Sequence, residues 1–285
     1  MLGRLSILCL LMATPLFANE PAGEEQTLTL LAQGEEMQIL HRPAMAAEHR
    51  GTVILVPAQH DPYGNRQGFA HLRRLLSKQG YSSFLVVNAD LGQPLGEPLD
   101  VADNANRESG SATPSQADKQ GSLPASGQVS TYTPPYQPAM TEHTLDNHRR
   151  QLEARLEATL TRAQADNRPI SLIAAGQSAG LISEYLSGYP DIQLQAFISV
   201  GAYLSVSERH QHISANLSVM APAVLDVYHP GLHPWALAQR TQRRQWTHKN
   251  HKWDYRQIWF SAPLIDEQQT QRLSKEIDGF LRRLF

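Results

Sequence analysis

Short, largely apolar runs recur along the chain, Gly51–Pro57 (GTVILVP), Ser83–Asn88 (SFLVVN) and Ile170–Ala175 (ISLIAA), and Leu194–Val200, Ala223–Tyr228 and Tyr255–Ser261 read as three further strands. A strand can be apolar at successive positions only when both faces of its sheet are covered, which is the situation of a parallel sheet between layers of helices. Helical patterns separate the runs. Phe69, Leu72, Leu75 and Leu76 share one face, ended by Gly80, and Thr141 to about Ala165 carries Leu145, Leu152, Leu156, Leu160 and Ala163 on one stripe. Glu208–Leu217 reads as a helix, Trp235–Lys252 as a basic amphipathic stretch, and Leu273, Ile277, Phe280, Leu281 and Leu284 as a closing helix. Two earlier runs, Thr27–Gln33 and Glu36–Arg42, flank Gly34-Glu35 as a β-hairpin. The expected fold is α/β: an eight-stranded, mostly parallel sheet with helices on both faces.

The stretch with the most chemical content is Ile170–Gly188, ISLIAAGQSAGLISEYLSG. An apolar strand runs at once into Gly176-Gln177-Ser178-Ala179-Gly180 and then into a helical Leu181, Ile182, Tyr185, Leu186 pattern. Serine in the middle of G-x-S-x-G, between strand and helix, is expected at a strained turn above the C-terminal edge of the sheet. Ser178 is thus the candidate nucleophile, with the Ala179 amide placed to face a developing oxyanion.

The N-terminus carries Arg4, an apolar stretch through Phe17, and Ala18-Asn19-Glu20, the pattern of a secretory leader cut after Ala18. Such a run is short for a membrane span, and a retained N-terminal anchor is the alternative reading. The single cysteine, Cys9, falls inside the leader, so residues 19–285 carry no thiol chemistry and need no disulfide. A periplasmic or secreted location is expected. Roughly 267 residues would remain, enough for one sizeable domain. Within it, 91–140 is rich in Gly, Pro, Ser, Ala, Gln, Asp and Asn and reads as a partly disordered insertion in one domain. Its Tyr132 and Tyr136 among prolines also fit a polyproline-like recognition segment. The formal charge of −2 gives no support to a nucleic-acid binder.

The whole stretch 19–285 resembles the α/β-hydrolase superfamily. Through VILVPAQHD, LIAAGQSAG, APAVLDVYHPG and YRQIWFSA it is more closely similar to a family of uncharacterised bacterial envelope proteins within that superfamily. The resemblance implies a base, usually histidine, after the last strand and an acid after the strand Ala223–Tyr228. No histidine occurs after His251. The acid position is occupied by His229-Pro230-Gly231-Leu232-His233, and Asp226 lies within the strand, where a buried carboxylate must be hydrogen-bonded. The loop after the first parallel strand should supply the second oxyanion amide, here Ala58 or Gln59, although superfamily members typically carry a histidine-glycine pair there.

Substitutes for the missing base are His229 or His233, with Asp266 as an orienting carboxylate, and His60, with Asp61 beside it. The alternative is that His229 and His233 simply form a turn around Pro230-Gly231. Twelve histidines raise the question of a metal, but the spacings are unfavourable, and only a set across loops from His60, His229 and His233 comes into question. No phosphate loop follows the first parallel strand, so no nucleotide cofactor is expected, and the histidine spacings give no expectation of a metal. Arg240, Arg243, Arg244, Lys249, Lys252 and Arg256 with Trp235, Trp246 and Trp253 read either as a solvated outer helix or as a weak contact to an envelope surface. Two functions follow: an α/β-hydrolase-like domain that binds a small molecule or envelope component without catalysis, or an esterase-like serine hydrolase forming an acyl-enzyme on Ser178.

Overall fold

The computed structural model describes residues 25–61, 65, 68–87 and 141–284. The expected leader, 1–18, and the expected insertion, 91–140, lie outside the described residues. The expected architecture is present: eight strands in one sheet, in the order β1-β2-β4-β3-β5-β6-β7-β8. β1 (Gln26–Ala32) and β2 (Glu35–Arg42) form the hairpin, and β2 lies antiparallel to β4 (Tyr81–Val86). The hairpin turn is Gln33-Gly34 rather than Gly34-Glu35. β3 (Gly51–Val56), β4, β5 (Ile170–Ala175), β6 (Ala196–Val200), β7 (Ala223–Tyr228) and β8 (Tyr255–Trp259) are parallel.

Seven helices among the described residues cover the sheet. α1 (Phe69–Lys78) and α7 (Glu267–Leu281) lie on one face, where Val53, Leu55, Ile173, Ile198, Leu225 and Val227 meet Leu72, Leu76, Leu273 and Ile277. On the other face lie α2 (Glu142–Gln164), α3 (Gly176–Gly188) and α4 (Ser207–Val219), against Ile54, Val56, Leu172, Ala174, Phe197 and Val224. Every residue of β3 to β7 is buried, as expected for largely apolar strands covered on both faces, and the few polar ones, Asp226 among them, are buried too. Thr141 caps α2 by accepting from the Thr144 amide. The basic stretch divides into α5 (Pro234–Ala238) and α6 (Arg240–Lys249), the first begun by a proline whose missing N–H is harmless there.

α3 approaches the loop after β6 so closely that a Cβ on Gly180 would run into the Tyr203 carbonyl oxygen and stand 2.9 Å from the Leu204 side chain. Backbone cannot retreat cheaply in a close-packed interior. Gly180→Ala is expected to lose at least about 3 kcal/mol in urea unfolding, whereas Gly188→Ala, at whose Cβ nothing lies within 4 Å, is expected to be neutral or slightly stabilising.

Candidate functional site at the carboxyl edge of the sheet

The geometry of the β5–α3 corner departs from the sequence expectation. β5 ends at Ala175, and the first residue after it, Gly176, takes the left-handed conformation at φ +56°. The strained position between strand and helix therefore belongs to glycine. Ser178 stands two residues further on, within the first turn of α3, and is fully buried. By chain position the amide following the corner residue is that of Gln177, not Ala179. The expectation failed by two residues because A-A-G-Q-S and G-Q-S-A-G overlap, and the turn falls where the strand ends rather than where the motif has its serine.

The corner is packed closely from above. An ideal Cβ on Gly176 would lie 3.3 Å from the Ala58 methyl and 3.6 Å from the Tyr203 ring. Ala58 and Gln59 do come to this corner, as expected for the loop after β3, and the Gln177 side chain donates from Nε2 to Gln59 Oε1 at 2.7 Å. A column of rings then builds outward. Tyr203 stacks on His233 with centroids 4.1 Å apart and planes within 6°, and His233 meets Trp235 edge-on at 5.5 Å. Burial raises the Tyr203 phenol above its ordinary range.

The candidate bases have other employment. His233 Nδ1 accepts from the Trp235 amide at 3.3 Å and caps α5, so the neutral ring carries its proton on Nε2. His229 donates from Nδ1 to the Pro230 carbonyl at 2.6 Å, which leaves Nε2 as an acceptor. Burial lowers the pKa of both. Among the described residues neither ring hydrogen-bonds to Ser178. His60 is exposed on the turn after β3. Asp266 is not an orienting carboxylate for either ring: it caps α7, accepting from the Gln268 amide at 3.3 Å. Among the described residues no three His, Cys, Asp or Glu side chains gather as a metal set.

Asp226 is structural, as the burial argument required. Its side chain is wholly buried and faces α6, where it accepts from Arg243 at 3.1 Å and from the Tyr228 and Tyr255 hydroxyls at 2.8 Å each. Arg243, also fully buried, donates in addition to the Ala202 carbonyl at 2.6 Å. Sequence reasoning placed Arg243 with the solvated cations. Its spacing from Gln239 and Thr247, both buried and each one helical turn away, marks the inward face of α6.

A family model described as "Protein of unknown function (DUF3530)" matches residues 13–283. The chain belongs to that family. No curated protein matches it. Among solved structures, a putative dienelactone hydrolase from Klebsiella pneumoniae subsp. pneumoniae is similar at TM-score 0.57 and 14% identity, covering 92% of this chain and 100% of that one. The esterase domain of a Rhodothermus marinus protein gives TM-score 0.55 at 10% identity, covering 91% and 99%. An acylaminoacyl peptidase from Pyrococcus horikoshii gives 0.59 at 12%, covering 93% of this chain and 42% of that one. At such identities the likeness carries the fold: this member of the family has an α/β-hydrolase-like architecture.

Two measurements test the edge chemistry. Arg243→Met leaves Asp226 buried without its cation and should cost about 3–5 kcal/mol, whereas Arg244→Met, one residue away but exposed, should stay within about 0.5 kcal/mol in the same urea titration. The second concerns His210, whose Nδ1 accepts from the Leu204 amide; burial first, and then Arg243, push it down to about 4. Its folded pKa is depressed, so its contribution is complete above about 6.5, the unfolded value, and is lost as pH falls towards 4. An NMR titration should place the His210 midpoint near 4, and His210→Gln should flatten the fall in stability between about pH 6.5 and 4.

Proposed function

We propose that this protein is a periplasmic α/β-hydrolase-like domain that acts by binding and has given up hydrolysis. The observation that carries the reading is Gly176 at the strand-to-helix corner. In the elbow arrangement the residue at that corner presents the nucleophile, and glycine has no side chain to present. The space a nucleophile would occupy is bounded by Ala58 and the Tyr203 ring.

Three further features support it. No histidine follows His251, so the loop after β8 offers no base. The strand that should precede an acid spends its one carboxylate, Asp226, on a buried pair with Arg243. Ser178 is fully buried in the first turn of α3, two residues past the corner. Loss of such groups leaves a fold that rests on strand and helix patterning undisturbed. Among the described residues no helix is long and apolar enough to cross a membrane, and the periplasmic assignment rests on the leader.

The alternative, an acyl-enzyme on Ser178 served by His229, keeps one point in favour: His229 holds the tautomer a general base needs. Labelling with a broad fluorophosphonate probe separates the two. The folded protein, leader removed, is expected to remain unlabelled, as is its Ser178→Ala variant; labelling that disappears in Ser178→Ala would establish the hydrolase instead.

A further inference from the structure

A cavity lies away from the β5–α3 corner, along the free edge of the sheet. It is a groove of about 570 Å³ between α6 and β8, lined also by residues 251–253. Arg240, Arg244 and His248 project into it from α6, each four residues after the last. One turn of helix separates successive members, so the row repeats about every 6 Å along the groove.

The charge of this groove is one-sided. Its lining includes Arg240, Arg244, Lys252 and Arg256 with His248 and His251, and contains no carboxylate. Lys252 pairs with Asp254 at 3.0 Å and Arg256 with Glu276 at 2.8 Å, both from outside the lining. Among the described residues Arg240 and Arg244 pair with no carboxylate. Arg240 instead lies 5.2 Å over the Trp259 ring, which holds the guanidinium at the groove without neutralising it. The back wall is firm, because Tyr255 and Gln257 are hydrogen-bonded into the Asp226–Arg243 cluster behind them.

Trp253 stands at the mouth with 84% of its surface exposed, and Trp259 is 43% exposed. An exposed indole costs a protein solubility, and its amphipathic ring is at home at the boundary between water and lipid headgroups. Cations in a recess with an indole at the rim match a surface carrying phosphate below a shallow apolar layer. The geometry points to an anionic-lipid site: the α6–β8 groove takes the phosphate of an anionic phospholipid headgroup, and Trp253 enters the interface beside it. This inference does not depend on whether Ser178 is reactive, since the groove lies on a different edge of the fold.

The test uses the protein without its leader, with vesicles of phosphatidylcholine alone and with phosphatidylglycerol added. All four tryptophans fall between 235 and 259, so their emission reports on this region. Binding is expected to the anionic vesicles and not to the neutral ones, with a blue shift that is mostly lost in Trp253→Phe. Arg244→Ala should weaken it about fivefold and Arg244→Glu about 25-fold, following roughly 1 kcal/mol per cation near an anionic surface. Thermal melting matched to wild type shows that these exposed substitutions leave the fold intact. Equal binding to both vesicle types, or no binding, overturns the proposal. So does undiminished affinity in folded Arg244→Glu, and so does displacement from vesicles by millimolar glycerol phosphate, which would make a soluble phosphoester the ligand.

Discussion

The left-handed turn at Gly176 fixes the relation between the sheet and everything at its carboxyl edge. β5 is the strand between β3 and β6, and the chain must leave it within one residue to start α3. That reversal needs positive φ, which a residue without Cβ adopts at little cost. Once α3 is launched at this angle, the loop after β6 can lie against Gly180, the Tyr203 ring can cover Gly176, and the Ala58 methyl can close the other side. His233 then stacks on Tyr203 and caps α5. Each contact depends on the one below it.

Much of this was legible in the residues. Strands buried on both faces announce themselves as largely apolar runs, and β3, β5 and, apart from Asp226, β7 fall where such runs lie. The boundaries of β4 and β6 shifted by a few residues, because tertiary pairing with β3 and β5 sets where hydrogen bonding begins. The corner was legible too, but only through the strand: a run ending at Ala175 makes Gly176 the turning residue, and the serine motif drew attention two positions too far. What no local pattern disclosed was the pairing of Asp226 with Arg243, which are brought together by the passage of α6 over β7. A carboxylate inside a buried strand does require a cation or donors nearby, and Arg243 is the arginine on the inward face of α6.

That pairing gives α6 two unlike sides. Inward, Gln239, Arg243 and Thr247 are buried, and the Arg243 charge is met by Asp226 and hydrogen bonds from Tyr228 and Tyr255 to the same carboxylate. A desolvated pair of this sort contributes little net stability compared with apolar packing, but neither partner can be removed alone. One position on, Arg240, Arg244 and His248 face the groove and have no such partner. Two neighbouring arginines therefore do opposite things: Arg243 is held for the interior, and Arg244 is left with its charge available.

The cations along β8 also have a bland role. β8 is an outer strand with unpaired backbone groups, and charged side chains beside such an edge discourage pairing with another chain. Edge protection, however, is indifferent to sign; a glutamate repels an approaching strand edge as well as an arginine does. It also gives no reason for the absence of carboxylates from the groove lining, or for an indole left almost wholly in water at its mouth. Protection alone would favour mixed charges and a smaller side chain in place of Trp253. The one-signed recess with an aromatic rim is what a phosphate-bearing surface selects, and the sign of residue 244 is the point at which the two explanations part.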